Sequence, residues 1–66
     1  MKILINGERF ECGDARTVDD LIRRHHLAPA TTLVECNGKV LRRRDWPARA
    51  LQENDRLEIL QVAAGG

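Results

Sequence analysis

Aromatic residues are nearly missing from this chain. Its 66 residues hold one Phe, one Trp and no Tyr. A platform that stacks nucleobases needs several exposed rings, so that mode of nucleic-acid binding is excluded. Charge gives a polyanion no more to hold: 11 Lys and Arg stand against 10 Asp and Glu, a net charge of +1, and no bulk basic excess marks a nucleic-acid partner. Glycine occurs at Gly7, Gly13, Gly38, Gly65 and Gly66, and no spacing among these makes a phosphate-cradling loop. The chain therefore has no recognisable seat for ATP or a dinucleotide. No apolar run is long enough to span a bilayer. The opening "MKILINGERF" lacks the apolar region and small-residue cleavage site of a signal peptide. The expectation is a cytoplasmic protein without membrane contact.

Cys12 and Cys36 stand far apart, with no Cys-x-x-Cys and no zinc spacing. They are expected to be reduced thiols packed as small apolar groups. His25 and His26 are adjacent, so on a helix they point different ways, whereas helical metal ligands want i, i+4 spacing. No metal is expected. One imidazole is expected to lean on the core and the other to sit in solvent.

The local structure is easier to read than the chemistry. Two Asn-Gly pairs, Asn6–Gly7 and Asn37–Gly38, each lie between extended runs, the strongest short hairpin signal. A two-residue turn at the first sets Ile5 opposite Glu8, Leu4 opposite Arg9, Ile3 opposite Phe10 and Lys2 opposite Glu11. That register collects Met1, Ile3, Ile5, Phe10 and Cys12 on one face and leaves Leu4 and a Lys2–Glu11 ion pair on the other. The second turn sets Val34 opposite Leu41 and Glu35 opposite Val40. Between the hairpins, Thr17 and Asp20 have capping-box spacing, and Val18, Leu21, Ile22 and His25 form one helical stripe. Asp19 and Asp20 at the start, and Arg23 and Arg24 toward the end, complement the helix dipole. Pro29 blocks continuation. A helix over Thr17–His26 follows.

"DWPARALQENDR" reads as a loop with a helical turn, and Trp46 as a lid over the helix. Arg42, Arg43 and Arg44 read as a solvated edge. "RLEILQV" is the last strand, with Leu57 and Ile59 on one face and Glu58, Leu60 and Val62 on the other. The order β-β-α-β-β-turn-β has one apolar helix stripe and one sheet to cover. That predicts an α+β domain over residues 1–62, a mixed four- to five-stranded sheet on one main helix with the first and last strands as central neighbours. This is the β-grasp, or ubiquitin-like, arrangement. At this size only about 60% of the unfolded chain's surface is buried, so the core must be compact. Leu4, Leu60 and Val62 then fall on the open side of the sheet and form the candidate partner-binding patch.

The chain closes on Ala63, Ala64, Gly65 and Gly66, expected to be a flexible tail. Glycine has no Cβ, so such a tail can thread a narrow channel and present an unhindered carboxylate inside another protein's active site. A carboxylate is a poor electrophile. ATP could convert it to an acyl-adenylate that a sulfur or nitrogen nucleophile attacks. The chain would then be a carrier acted on in trans, with no catalytic residue of its own.

"INGERFEC" after a first strand, "TVDDLI" opening the helix, "ECNGKVLRRRDW" as the second hairpin and "NDRLEILQVAAGG" at the end together resemble the ThiS family, the ubiquitin-like sulfur carriers of bacterial thiamine biosynthesis. The resemblance covers nearly the whole chain. It implies that Gly66 is adenylated by an E1-like enzyme using ATP, then converted to a thiocarboxylate with sulfur from a persulfide enzyme, and that thiazole synthase receives the sulfur. It implies that Ala63, Ala64 and Gly65 thread into the partners' active sites, and that the free carrier is a monomer without a bound cofactor. Two positions depart from the pattern. Asn54–Asp55 replaces the usual Gly-Asp before the last strand, which Asn can serve because it tolerates a left-handed turn. Ala63–Ala64 stands where a bulkier residue is common. Other readings are a carrier for molybdopterin or another sulfur metabolite, a non-covalent β-grasp interaction module, and a modifier conjugated to lysines.

Overall fold

The computed structural model describes residues 1–62. Strands β1 (Lys2–Ile5) and β2 (Glu8–Glu11) form the first hairpin. Helix α1 (Val18–Arg24) follows, then a 3-10 turn at Pro29–Thr31. Strands β3 (Thr32–Cys36) and β4 (Lys39–Leu41) form the second hairpin, a second 3-10 segment covers Arg43–Ala48, and β5 (Arg56–Gln61) ends the sheet. The strand order is β2-β1-β5-β3-β4. β1 and β5 run parallel at the centre, and the other pairings are antiparallel. The mixed sheet on one main helix is the β-grasp arrangement.

Both hairpins adopt the register their turns dictate. Ile5 pairs with Glu8 and Lys2 with Glu11; Val34 pairs with Leu41 and Glu35 with Val40. The cause is visible in the dihedral angles: Asn6 and Asn37 have φ of 50° and 53°, and Gly7 and Gly38 have φ of 83° and 86°. Positive φ at both central residues is the turn whose twist matches that of the strands it joins. Asn54 has φ of 70°, so it takes the left-handed position where glycine is usual.

The expected Lys2–Glu11 ion pair is not among the described contacts. Glu11 instead accepts from the Met1 α-amine at 2.9 Å. That amine is fixed to the backbone, whereas a lysine ammonium would lose the freedom of four side-chain torsions to reach the same carboxylate.

The helix begins as its sequence dictates. Thr17 Oγ1 accepts from the Asp20 N–H at 3.1 Å, and the Asp20 carboxylate accepts from the Thr17 N–H at 3.1 Å, a complete capping box. It ends two residues before the expected limit. His26 turns left-handed, with φ of 55°; its N–H donates to Arg23 O at 3.0 Å, and the Leu27 N–H donates to Ile22 O at 3.2 Å. These two bonds are a Schellman cap, with His26 where glycine is usual. His25 is exposed, and its ring lies 4.9 Å from that of Phe10 in a tilted contact.

The core lies between the helix and one face of the sheet. Val18, Leu21 and Ile22 of α1 meet Ile3, Val34 and Leu57 of the sheet, and Trp46 closes the side as a buried lid. Its indole N–H donates to Leu41 O at 3.1 Å, so the one buried polar atom of the ring is satisfied. Cys12 and Cys36 are free thiols in this core.

Asp55 is the buried polar junction of the fold. Its carboxylate accepts from Asn37 Nδ2 at 3.0 Å, from an Arg49 guanidinium nitrogen at 3.1 Å and from the Gln52 N–H at 2.8 Å. It thereby ties the second hairpin and the long loop to the start of β5. Burial works against its charged form, but the Asn37 and Gln52 hydrogen bonds and the Arg49 charge together outweigh it and hold the carboxyl below its ordinary range. A lowered folded-state pKa contributes stability above the ordinary carboxylate range, and that stability is lost as pH falls through the folded value. Asp55→Asn is expected to cost about 2 kcal/mol at neutral pH. The gap to wild type should shrink as urea denaturation is repeated at pH values progressively below the carboxylate range. A gap that stays constant with pH would mean that the charge is not what stabilises this junction.

Candidate functional site

The second face of the sheet is open. Alternation along β3 and β5 sends Thr32, Val34, Leu57 and Ile59 toward the helix and Leu33, Glu35, Glu58 and Leu60 outward. Leu33 lies directly opposite Leu60, and Glu35 directly opposite Glu58. Val40 on β4 faces Glu35. Leu33, Val40 and Leu60 are 54%, 75% and 60% exposed. They border a shallow groove of about 500 Å³, flanked by Glu35 and Glu58. A monomer gains nothing from holding three large apolar side chains together in water, and a contiguous patch of this kind marks a protein contact.

Glu35 and Glu58 add a second signal. Like charges directly opposite on neighbouring strands destabilise a sheet, and neither carboxylate has an ion-pair partner among the described residues. The apolar groove thus has an acidic flank, which suits a partner with a basic group beside its apolar contact.

Of the residues expected on this face, Leu60 lines the groove. Val62 lies two residues further along the same line and is also exposed. Leu4 shares the open face but not the groove. It is half-buried and pairs with Arg56, four residues before Leu60, a separation of about 13 Å along a strand. It lines a different hollow with Arg9 and Glu53. Leu33 and Val40 are the additional members. Their outward direction follows from the second hairpin's alternation, but their meeting with Leu60 follows only from the β3–β5 pairing, which no local motif encodes. Ala63, Ala64, Gly65 and Gly66 lie outside the described residues.

Asn6 brings the first hairpin to the groove. Its side-chain amide donates to Ile59 O at 3.1 Å, and its side-chain carbonyl accepts from the Ile59 N–H at 2.8 Å. The amide thus stands in for a strand residue after β1 has turned away. Among the described residues no group of three or more His, Cys, Asp or Glu could hold a metal ion, and no helix is long and apolar enough to cross a membrane.

A five-stranded mixed sheet on one main helix, with an apolar, acid-flanked open face, defines a protein of the β-grasp, ubiquitin-like class. The ThiS family profile matches residues 3–66. The sulfur carrier protein ThiS of Escherichia coli (strain K12) is 29% identical over 66 residues, with 100% of both chains covered. The crystal structure of a thiamine biosynthesis protein (ThiS) from Geobacter metallireducens superposes with a TM-score of 0.79 at 30% identity, covering 100% of both chains. A thiazole synthase of Magnetococcus marinus is 35% identical over 66 residues, which span 100% of this chain but 20% of that protein. The chain belongs to the ThiS family of sulfur carriers in thiamine biosynthesis, and it is a carrier and not a catalyst.

Removing the carboxylate repulsion should leave a more stable sheet. Glu58→Gln is expected to raise unfolding free energy by about 0.5 kcal/mol, read by urea denaturation at low ionic strength, with the gain fading as salt is added. A loss of stability would show that Glu58 has a favourable partner in the fold.

Proposed function

We propose that Gly66 is the group that carries the sulfur. The single observation behind this reading is the family match, which runs through Gly65 and Gly66 at its end. In the first step the Gly66 carboxylate attacks the α-phosphorus of ATP on an E1-like activating enzyme. Pyrophosphate leaves, and an acyl-adenylate forms. The adenylate is needed because a carboxylate resists nucleophiles, whereas AMP is a good leaving group. In the second step the terminal sulfur of an enzyme persulfide attacks the acyl carbon and AMP departs. A thiol then attacks the remaining S–S bond and supplies the two electrons that release the thiocarboxylate. The carrier passes that sulfur to thiazole synthase in the cytoplasm. The Magnetococcus marinus relative supports this choice of acceptor, because a stretch like this chain lies within a protein named for that activity.

This chain's own residues supply recognition and reach. Leu33, Val40 and Leu60 offer the apolar contact, and Glu35 and Glu58 favour a basic rim on the enzyme. Ala63, Ala64 and Gly65 carry no bulk that would obstruct a narrow channel, and glycine permits backbone angles that other residues avoid. ATP is bound by the enzyme; the carrier needs no cofactor.

Incubation with the cognate activating enzyme, ATP and a sulfur donor is expected to replace one oxygen of the chain by sulfur, seen as the corresponding rise in intact mass. No such rise would overturn the reading. A chain ending at Gly65 should lose adenylation and keep its thermal midpoint, whereas a large drop in midpoint would assign Gly66 a structural role. Leu60→Asp is expected to weaken binding to the activating enzyme by about tenfold or more while changing stability by no more than about 0.5 kcal/mol. Unfolding of that variant would place Leu60 in the core.

A further inference from the structure

We propose that the inner edge of β5 at Gln61 is a second recognition element, which accepts an extended segment of the activating enzyme as an added strand. The proposal rests on the functional reading above, because the partner that pairs here is the enzyme that receives Gly66. Backbone directions in β5 alternate strictly. The Asn37 N–H donates to Arg56 O at 2.7 Å and the Val62 N–H to Thr31 O at 2.8 Å, so the even-numbered peptide groups serve β3. The Leu4 N–H donates to Asp55 O at 2.8 Å, the Asn6 N–H to Leu57 O at 2.9 Å, and the Asn6 side chain takes both groups of Ile59. The odd-numbered groups therefore serve the β1 side. β1 has turned away by then, and the Gln61 N–H and C=O have no partner among the described residues.

The outer edges of the same sheet are defended. β2 carries Glu8, Arg9 and Glu11, and β4 is three residues long, begins with Lys39 and is followed by Arg42. Charge and shortness are the usual means of blunting an edge. Gln61 has neither defence: its neighbours are Leu60 and Val62, and its own side chain is turned to β3, where Nε2 donates to Thr32 Oγ1 at 2.7 Å. Beside this edge lies a groove of about 520 Å³, lined by the half-buried Ile5, Phe10, Leu27 and Ile59 and also by Glu8, Arg9 and His25. An added strand would offer one donor and one acceptor to Gln61 and drop an apolar side chain into that groove, the usual division between backbone affinity and side-chain specificity in strand addition. The pairing would fix the direction of the chain immediately before the residues that lead to Gly66.

Proline at 61 removes the outward N–H and no backbone bond to β3, although it also loses the side-chain bond to Thr32, and edge positions tolerate proline. Gln61→Ala keeps the N–H and loses the Thr32 bond. Binding to the activating enzyme is expected to be weaker for Gln61→Pro than for Gln61→Ala by about tenfold. In the wild-type chain, the Gln61 amide should exchange rapidly with solvent when free and become protected in the complex, a readout that needs no variant to fold. Equal affinities for the two variants, or an unprotected Gln61 amide in a complex that still adenylates the carrier, would overturn the strand pairing alone. A wild-type chain that neither binds nor is adenylated would overturn the functional reading and this proposal together. Protection that rises with the concentration of the carrier by itself would assign the edge to a second copy and overturn the enzyme as occupant.

Discussion

The parallel meeting of β1 and β5 is the constraint on which this domain depends. The strands lie at opposite ends of the chain, yet they are neighbours at the centre of the sheet. Only two residue pairs form their ladder, Leu4 with Arg56 and Ile5 with Leu57. A parallel pair cannot be closed by a tight turn, and this contact closes a loop that contains nearly the whole chain. The loop-closure cost is offset at both ends of the ladder. Asp55 holds the entry to β5 against the second hairpin, and Asn6 continues the ladder with its side-chain amide after β1 has ended. Both devices use groups that would otherwise be turn residues. A sheet of this topology folds more slowly than a helical domain of equal length, because its decisive contact is its most distant one.

The two faces of the sheet are built on different principles. The helix side is closely packed, and its buried polar side chains have partners; no buried side-chain nitrogen or oxygen among the described residues is left unpaired. The open side keeps Leu33, Val40 and Leu60 in water and sets Glu35 against Glu58. In so small a domain each apolar side chain counts toward the core, and these three are left outside it. The face therefore makes sense as a surface completed by a partner, where water is released from the leucines and the carboxylates meet positive charge.

What the sequence disclosed follows the range of the interactions. Both Asn-Gly turns, both hairpin registers and the capping box act within a few residues, and each was legible. So was Trp46, whose size in a chain with few aromatics left it little choice but to seal the core. The end of the helix was not legible, because His26 takes a left-handed conformation that composition assigns to glycine or asparagine. A shared face alone groups Leu4 with Leu60. The face was right, but position along the face depends on where β1 meets β5, and that is a long-range fact. The meeting of Leu33 and Val40 with Leu60 is hidden from the sequence for the same reason. The Met1 amine took Glu11 from Lys2 because a fixed donor loses less freedom than a flexible one.

β5 unites these separate roles by simple alternation. Leu57 and Ile59 anchor it in the core, Glu58 and Leu60 point to the open face, and the Gln61 N–H and C=O have no partner among the described residues. The strand can do all three because successive side chains point to opposite faces while successive peptide groups point to opposite edges. On the proposed reading, recognition and reach are thereby set by one strand. Gly66 stands six positions beyond Leu60, and a fully extended chain advances at most about 3.5 Å per residue. An enzyme that grips Leu60 must therefore place its reacting atoms within about 20 Å of that contact. On the proposed reading, two anchors on β5, one on its face and one on its edge, would define a line as well as a point. A line limits the directions in which the chain can leave the strand, and this is what a narrow channel for an unbranched tail requires.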